Sequence, residues 1–404
     1  DIPMGLLIPL IIIALCCLVI WRAGDGFMVA SEYVGRNLSE GVRGATINAI
    51  ASSMPEVFTS FFFLFVLNDA SGFSGGIGTT AGSAIFNSMV IPAVSIIAVI
   101  SMGMVKRIEI SRKVLFRDGI ALIIAEFIFL ILISGSALDW HHGLLLMSVY
   151  VVYIVFMFAS MDKKTKEALM SSTPQEDEEE DQEEVENMET PSFFLALITL
   201  DLERVFIGKS KINDTRAWFL LVIATMCIAG VCYWLVLACE WLGEKTYEVP
   251  YLGTFEGLDI PVMFVALILA SAASSFPDTI ISIKDAKKGN YDDAISNALG
   301  SNIFDVCFAL GFPLFVFTLI NGPIVMSEDI IDLSSELRLL LLLSTVAALA
   351  IFTTGKYMGR GKAFLLLGIY VFFVIYIVGR GAGNEWAQGI ADGLVSIVHF
   401  FNIN

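Results

Sequence analysis

Two hexapeptides place a proline and a carboxylate inside stretches that are otherwise apolar. They read ASSMPE, residues 51–56, and ASSFPD, residues 273–278. A proline lacks an N–H group and clashes with the preceding helical turn, so it frees backbone carbonyl groups upstream. Such carbonyls, together with hydroxyl and carboxylate oxygens, form a ligand set that suits Ca²⁺ or Na⁺. The candidate ligands are the carbonyls near Ala49 and Ser271 and the side chains of Ser52, Ser53, Glu56, Ser274, Ser275 and Asp278.

A second polar motif follows each hexapeptide in the same order. It reads GSAIFN at residues 82–87 and GSNIFD at residues 300–305. Helical residues four apart share one face, so each motif presents a hydroxyl beside an amide or a carboxyl group. The glycines are expected to allow close approach of a neighbouring helix. The candidate ligands here are Ser83 and Asn87, and Ser301 and Asp305, with Gly82 and Gly300 as the small residues.

The carboxylates of Glu56, Asp278 and Asp305 lie in apolar surroundings without a Lys or Arg nearby in sequence. A charged side chain at the centre of a membrane costs roughly 2.5–3.5 kcal/mol on insertion scales. Three such residues are therefore expected to have a functional role and not a role in stabilising the fold. Glu126 is another acidic residue in an apolar run, but it has no counterpart in the repeat, and we expect it to lie outside the site.

The elements that must position these residues are membrane-spanning helices. Of the 404 residues, 56% are hydrophobic, and the mean hydropathy of +0.78 exceeds that of soluble domains. Apolar runs predict about ten spans and a last run, 386–401, that is either an eleventh span or an interfacial helix. The predicted spans lie near residues 4–22, 44–67, 76–101, 117–134, 143–161, 217–241, 260–283, 292–319, 337–355 and 362–379.

The Lys and Arg residues give the chain an orientation. The loops after the odd-numbered spans hold 21 of the 24 Lys and Arg residues. The positive-inside rule places these loops in the cytosol and both termini outside. The sequons at Asn37 and Asn213 then face the cytosol, and we expect neither to be glycosylated.

The two sets of motifs form an inverted repeat. Pro55 and Pro277 lie 222 residues apart, and the two Gly-Ser pairs lie 218 apart. The first set begins on a span that runs outward, and the second begins on one that runs inward. Inverted repeats with interrupted helices are typical of secondary transporters with a midplane site. We therefore predict an all-α polytopic membrane protein with two inverted five-helix repeats and broken helices 2 and 7.

This prediction divides the chain into four regions. Residues 1–161 hold the first repeat, 162–216 a cytosolic acidic linker, 217–379 the second repeat, and 380–404 a tail or extra helix. Much of the net charge of −17 lies in the run from Glu176 to Glu189, which is typical of disorder and could meet a cytosolic partner. The six cysteines lack zinc-site spacing, and neither a phosphate loop nor a nucleophile–base pair appears. We expect no cofactor, no enzymatic activity and no binding to nucleic acid.

The segment SFPDTIISIKDAKKGNYDDAISNALGSNIFD resembles the α-2 repeat of the K⁺-dependent branch of the cation/Ca²⁺ exchanger superfamily, and AGSAIFN resembles its α-1 repeat. The resemblance covers nearly all ten spans. It implies an antiporter of the plasma membrane that exchanges Na⁺ for Ca²⁺, with K⁺ carried alongside Ca²⁺. It also implies that the cation ligands carry over onto the side chains named above, with Asp305 tied to K⁺ dependence.

Other functions stay open at this stage. A K⁺-independent Na⁺/Ca²⁺ antiporter or an H⁺/Ca²⁺ antiporter would have the same fold, although the Gly-Asn-x-x-Glu core typical of H⁺/Ca²⁺ exchangers is absent. A Ca²⁺-permeable channel would show flux that is not coupled to a counter-gradient. A membrane-embedded cation sensor would bind ions without moving them.

Overall fold

The chain forms a bundle of long helices joined by short turns and strands. A computed structural model describes residues 4–34, 49–68, 70–160, 193–208 and 212–400. The helices of the first half are α1 (Met4–Val34), α2 (Ala49–Ser52), α3 (Met54–Leu67), α4 (Ala70–Ser101), α5 (Arg112–Leu132) and α6 (Trp140–Ser160). Helices α7 (Phe193–Ile198) and α8 (Leu202–Phe206) precede α9 (Asp214–Gly243). The others are α10 (Val262–Ser274), α11 (Phe276–Lys288), α12 (Tyr291–Phe304), α13 (Leu310–Asn321), α14 (Glu328–Thr353), α15 (Arg360–Gly381) and α16 (Glu385–Phe400).

The apolar helices confirm the predicted all-α polytopic membrane class. Among the described residues, six helices are long and apolar enough to cross a membrane, and the bent pair α10–α11 forms a seventh candidate. The other three predicted spans are present as helices that fall short of this length or composition. A break leaves α3 with 14 residues. Helix α5 carries charged residues along its length, and α6 is apolar over Trp140–Phe156.

Both hexapeptides break a helix at their second serine, which confirms the predicted interruption of helices 2 and 7. Ser53 forms the turn between α2 and α3, and Ser275 separates α10 from α11, whose axes differ by 43°. Pro55 and Pro277 each lie in the first turn of the helix that follows. Proline is tolerated there because N–H groups in a first turn have no intrahelical partner.

Two π-helical turns occur in the second half of the chain, and the sequence carries no signal that predicts them. Ala266–Ala270 lies within α10, and Asp305–Ala309 joins α12 to α13 without interruption. Such turns are frequent at functional sites. The second one begins at a candidate ligand, Asp305.

Short strands connect the two halves at opposite ends of the bundle. β1 and β2 flank α5, whereas β5 and β6 flank α14. Because β1 pairs with β6 and β2 pairs with β5, the pattern is unchanged when the two halves are exchanged, as in an inverted repeat. The strands are β1 (Ile108–Glu109), β2 (Ala137–Leu138), β5 (Ile324–Val325) and β6 (Tyr357–Met358), and the hairpin after α9 consists of β3 (Thr246–Val249) and β4 (Gly253–Glu256).

Helix α4 lies at the centre of the bundle, and most of its residues are buried. A Cβ atom on Gly82 would overlap the Leu267 carbonyl group of α10, which confirms the expected close approach at this glycine. The same expectation for Gly300 is wrong. Among the described residues, a Cβ atom there would meet only the Tyr153 hydroxyl, at an ordinary contact distance of 3.8 Å.

Helices α1 and α9 pack on each other, and the apolar core around them also includes residues of α2, α3 and α10. This pair also touches both helix breaks. The Trp21 ring of α1 meets the Phe276 ring edge-on, with centroids 5.7 Å apart. The Cys232 Sγ atom of α9 lies 3.6 Å from the Pro55 carbonyl oxygen.

The last part of the predicted linker contains helices α7 and α8. Asp201 caps α8 by accepting a hydrogen bond from the Arg204 N–H group at 3.1 Å. Arg22 of α1 donates to the Thr199 carbonyl at 2.7 Å, which fastens this region to α1. The acidic run and the sequon at Asn37 fall outside the described residues, whereas Asn213 caps α9.

Helix α16 favours the interfacial alternative for the last apolar run. Its 16 residues extend for about 24 Å, which is less than the roughly 30 Å of a bilayer core. Its first turn packs on Gly379 near the end of α15, and His399 in its last turn lies 3.2 Å from Asp332 near the start of α14. Both contacts lie at the end of the bundle that carries β2 and β5, so α16 does not run from one end to the other.

Candidate cation site

The candidate ligands converge where the two broken helices meet α4 and α12. Glu56 and Asp278 lie in the first turns of α3 and α11, directly after the breaks. All polar side chains predicted as ligands are buried, with an exposed fraction of at most 2%. The side chain of Ala49, whose carbonyl is a candidate, lies outside the described set. The convergent side chains are Ser52, Ser53, Glu56, Ser83, Asn87, Ser271, Ser274, Ser275, Asp278, Ser301 and Asp305.

The Glu56 carboxylate is held by serines from both repeats. Its Oε1 atom accepts hydrogen bonds from Ser83 Oγ at 3.0 Å and from Ser275 Oγ at 3.4 Å. The two serine hydroxyls also contact each other. The second break therefore supplies a hydrogen-bond donor, Ser275, to the carboxylate that follows the first break.

Asp278 repeats this arrangement in the other half. Its Oδ1 atom accepts a hydrogen bond from Ser301 Oγ at 3.1 Å. Ser301 is the counterpart of Ser83, so the Ser83–Glu56 and Ser301–Asp278 contacts are equivalent under the inverted repeat. Ser52 and Asn297 also face the Asp278 carboxyl group.

Two further positions that are equivalent in the two repeats, Asn87 and Asp305, contact each other directly. Asn87 Nδ2 lies 3.4 Å from Asp305 Oδ2. Beside it, Asn302 Nδ2 donates to the Ala84 carbonyl at 2.9 Å and to Ser88 Oγ at 2.7 Å. These bonds fasten α12 to α4 between the two sets of ligands. Sequence reasoning missed this role of Asn302, because Ala84 stands at the equivalent position of the first repeat.

Several buried oxygen atoms of the site have no hydrogen-bond partner among the described residues. A buried polar atom without a partner is rare in folded proteins and calls for an explanation such as a bound ion. None of the ion pairs within the described residues includes Glu56, Asp278 or Asp305. These oxygens are hard donors, which Ca²⁺ and Na⁺ prefer. The atoms are Ser53 Oγ, Glu56 Oε2, Asn87 Oδ1, Asp278 Oδ2 and Asp305 Oδ1.

The carboxyl groups are not clustered as in a resident metal centre. No group of three or more His, Cys, Asp or Glu side chains in the described part of the chain is placed to hold one metal ion. Any cation here would draw on hydroxyl, amide and carbonyl oxygens beside one or two carboxylates. Mixed ligand sets of this kind are compatible with a cargo that must be released.

Two predicted ligands are engaged by their own helix. Ser271 Oγ donates to the Leu267 carbonyl at 2.6 Å, and Ser274 Oγ donates to the Ser271 carbonyl at 3.2 Å. The expectation that proline frees the Ser271 carbonyl is wrong, because this oxygen also accepts the Ser275 N–H at 3.0 Å. The carbonyl that loses its helical donor is four residues before Pro277, at Ala273.

Two buried polar contacts between α5 and α14 were not predicted from sequence. Thr345 Oγ1 donates to Glu126 Oε1 at 2.7 Å, and Glu126 Oε2 is buried without a hydrogen-bond partner among the described residues. Arg338 is fully buried and donates to the Leu130 carbonyl at 2.5 Å and to Ser335 Oγ at 2.9 Å. It satisfies the last turn of α5, where carbonyl groups lack intrahelical partners and positive charge is favourable.

The model of the sodium/calcium exchanger protein family matches residues 8–159 and 216–379. The chain belongs to this family. The match leaves out most of the acidic linker and the C-terminal segment, as the predicted resemblance did.

Curated relatives of this family member are named as exchangers and not as enzymes. Human sodium/potassium/calcium exchanger 5 is 27% identical over 350 residues, which cover 73% of this chain and 66% of that protein. Human sodium/potassium/calcium exchanger 4 is 20% identical over 478 residues, with 85% of this chain and 75% of that protein covered. A probable sodium/potassium/calcium exchanger of Drosophila melanogaster is 32% identical over 143 residues, 34% of this chain and 22% of that protein. The chain thus spans just under two thirds of exchanger 5 and about a fifth of the fly protein.

Solved structures share the fold of this family member. The H⁺/Ca²⁺ exchanger CAX superposes with a TM-score of 0.56 at 12% identity and covers 96% of this chain and 92% of its own. The sodium-calcium exchanger NCX_Mj, soaked with Na⁺ and Sr²⁺, superposes with a TM-score of 0.52 at 18% identity and covers 92% and 99%. At these identities the likeness concerns the fold alone.

Proposed function

We propose that this protein is a secondary active antiporter that exchanges Na⁺ for Ca²⁺, with K⁺ carried alongside Ca²⁺. The observation that carries the proposal is the symmetric pair of buried carboxylates, Glu56 and Asp278, each placed at a helix break with one oxygen bound and one oxygen without a partner. The names of the curated relatives, which are Na⁺/K⁺/Ca²⁺ exchangers, support this choice of ions.

The charge of the site provides the coupling between the ions. Glu56, Asp278 and Asp305 are buried and have no Lys or Arg partner in the described part of the chain. Taking a charge out of water costs several kcal/mol per ion even after relaxation, by rough estimate. Ca²⁺, or several Na⁺ ions, would offset this cost by neutralising the carboxylates. The empty site is then unfavourable to occlude, so the protein changes its side of access only with cargo.

The peripheral pair α1–α9 is proposed to move during transport. Its apolar core is distinct from the one around α4, although it also includes residues of α2, α3 and α10, and the pair contacts both breaks, at Phe276 and at the Pro55 carbonyl. Sliding of this pair along the site would expose the ligands to one side at a time. Because the site helices are already interrupted at the breaks, they can adjust without breaking the backbone hydrogen bonds of a continuous helix.

The proposed orientation in the membrane follows the positive charges of the loops. We place the protein in the plasma membrane with both termini outside and the acidic linker in the cytosol, where its negative charge is available to a partner. The region boundaries at residues 161, 216 and 379 are part of the same proposal.

Uptake of ⁴⁵Ca²⁺ into membrane vesicles tests the proposed function. An outward Na⁺ gradient is expected to drive uptake through the wild type and not through Asp278→Asn, which keeps the shape of the side chain but removes its charge. Asp259→Asn, an exposed loop residue, is the matched control and should transport normally. Transport by Asp278→Asn at the wild-type rate would contradict the proposal. If uptake is unchanged when an inert cation replaces K⁺, the K⁺ part of the proposal fails.

A further inference from the structure

Two buried serines lie one helical turn beyond the carboxylates of the breaks. Ser60 follows Glu56 by four residues in α3, and Ser282 follows Asp278 by four residues in α11. Helical residues four apart share one face, so each serine lies on the same face as its carboxylate. The two serines are 222 residues apart, as the two prolines are, and are therefore equivalent in the inverted repeat. Neither belongs to the predicted ligands.

Both serine hydroxyl groups are buried and have no hydrogen-bond partner among the described residues. A serine or threonine inside a helix can donate to the carbonyl group four residues earlier. Thr59, the neighbour of Ser60, donates in this way to the Pro55 carbonyl at 2.6 Å. Thr279 of α11 likewise donates to the Ser275 carbonyl at 3.0 Å. The two serines do not bond to their own helices, and a buried hydroxyl group in this state calls for an explanation such as a passing ion or water.

Helix α3 leads from Glu56 to the end of the bundle that carries β2 and β5. Asn68, which follows α3, lines a cavity of about 450 Å³ together with Val325 of β5. The buried side chain of Leu64 lies on the same helix face, one turn beyond Ser60. A cation that followed this helix from the cavity to the site would pass Leu64 and meet Ser60 before it reached Glu56.

Helix α11 leads from Asp278 to the opposite end of the bundle. Ala286, one turn beyond Ser282, lines a cavity of about 10 Å³ together with Ile108 of β1. That volume has room for about one water molecule. A cation that followed this helix to the site would meet Ser282 before Asp278. Because both serines are buried, the site is closed toward both ends in this structure.

We propose that Ser60 and Ser282 are transient cation contacts on two access routes, one from each end of the bundle. Ser60 serves the route from the end with β5 to Glu56, and Ser282 serves the route from the end with β1 to Asp278. A hydroxyl group carries no net charge, so it offers a cation weak binding, and passage along a route requires binding that is weak enough for release. The inference rests on the proposed function, since it divides alternating access between the two helices.

Ser60→Cys and Ser282→Cys test the two routes, because cysteine is close to serine in size and reacts with thiol reagents. A membrane-impermeant, positively charged methanethiosulfonate is applied to one side of the membrane at a time during transport. The rate at which ⁴⁵Ca²⁺ uptake is lost is measured for each side. Thr59→Cys and Thr279→Cys are the matched controls, because these threonines lie one residue away and bond to their own helices. The parent chain gives the background of the native cysteines.

Two exposed positions mark the ends of the bundle in the same experiment, Val325 of β5 and Lys356 beside β6, which pairs with β1. Ser60→Cys should be modified only from the side that labels Val325→Cys, and Ser282→Cys only from the side that labels Lys356→Cys. Modification should be at least about tenfold faster than in the threonine controls, since the reactivity of a thiol follows its access. Modification of both serine variants from one side, of either from both sides, or of both at the control rate would overturn the inference.

Alanine variants give a second measurement that does not require a reactive thiol. Ser60→Ala and Ser282→Ala should each lower the maximal rate of uptake by about two- to tenfold, as the loss of one contact would produce. The Ca²⁺ concentration that gives half of the maximal rise in melting temperature should stay within about twofold of the wild type, because the site itself is intact. A wild-type rate in both variants would overturn the inference. One-sided modification in a protein that fails Na⁺-driven uptake would instead count against antiport alone.

Discussion

At the scale of single residues, each break carboxylate accepts a serine hydroxyl on one oxygen and leaves the other without a partner. The serines therefore hold the carboxylates in place before cargo arrives. Glu56 uses Ser83 and Ser275, and Asp278 uses Ser301. Because these contacts are equivalent in the two repeats, their loss should have similar effects.

Ser83→Ala and Ser301→Ala should each raise the Ca²⁺ concentration for half-maximal uptake by about two- to tenfold, the equivalent of one hydrogen bond. Ser95→Ala is the control, since Ser95 is a buried serine of α4 outside the site. Uptake is measured across a range of Ca²⁺ concentrations. If Ser95→Ala shifts the response as much as the site variants do, the serines act only through packing.

The sequence predicts which candidate side chains come together, because the repeat marks them twice. Glu56, Asp278, Ser83 and Ser301 all come together as the motifs indicate. The pairing of these groups was not predictable, since the partners lie up to 219 residues apart. Asn302 was missed because Ala84, at the equivalent position of the first repeat, is not polar.

At the scale of elements, the breaks are the feature that brings charge and backbone oxygens to one place. The 43° bend between α10 and α11 places Asp278 at the start of a new helix. Proline positions predict these breaks, because the residue cannot continue a helical ladder. The π-helical turns could not be predicted in this way, since no single residue type encodes them.

Pro277→Ala should restore the N–H donor to the Ala273 carbonyl and favour a straighter helix. We expect a melting temperature equal to or above that of the wild type, together with a loss of at least about tenfold in uptake. Pro9→Ala in α1 is the control, because Pro9 lies inside a helix that contains no candidate ligand. Wild-type uptake by Pro277→Ala would show that the break is not needed for transport.

Arg338 is expected to stabilise the fold instead of the site. Arg338→Ala removes the donors to the Leu130 and Ser334 carbonyls and should cost about 1–3 kcal/mol for the buried acceptors, with more from the lost packing. The melting temperature should fall, and Arg338→Lys should recover part of the loss. The exposed Arg360→Ala is the comparison. An unchanged melting temperature in Arg338→Ala would contradict this role.

At the scale of the whole molecule, the two strand pairs define the two ends of the bundle. Lys356, beside β6, lies 2.9 Å from Glu109 of β1, and the Glu109 carboxylate raises the pKa of Lys356. Val325 of β5 is exposed at the opposite end. The inverted repeat in the sequence predicts that equivalent loops of the two halves lie at opposite ends of the bundle. The sequence does not predict that short strands join the halves there.

Cysteine labelling in intact cells tests the orientation. A membrane-impermeant thiol reagent should label Val325→Cys from outside and should label Lys356→Cys only after permeabilisation. The parent chain, with its native cysteines, is the background control, because all six are buried or partly buried. The reverse pattern would mean that the positive loops lie outside.

The most direct test of the central claim is Ca²⁺ flux in proteoliposomes with the Na⁺, K⁺ and H⁺ gradients varied one at a time. Antiport predicts that an outward Na⁺ gradient drives Ca²⁺ above its equilibrium concentration, that K⁺ on the Ca²⁺ side increases the rate, and that an H⁺ gradient alone does not drive uptake. Ca²⁺ that only equilibrates, whatever the Na⁺ gradient, would contradict the account and indicate a channel. Uptake driven by H⁺ and indifferent to Na⁺ would contradict it as well.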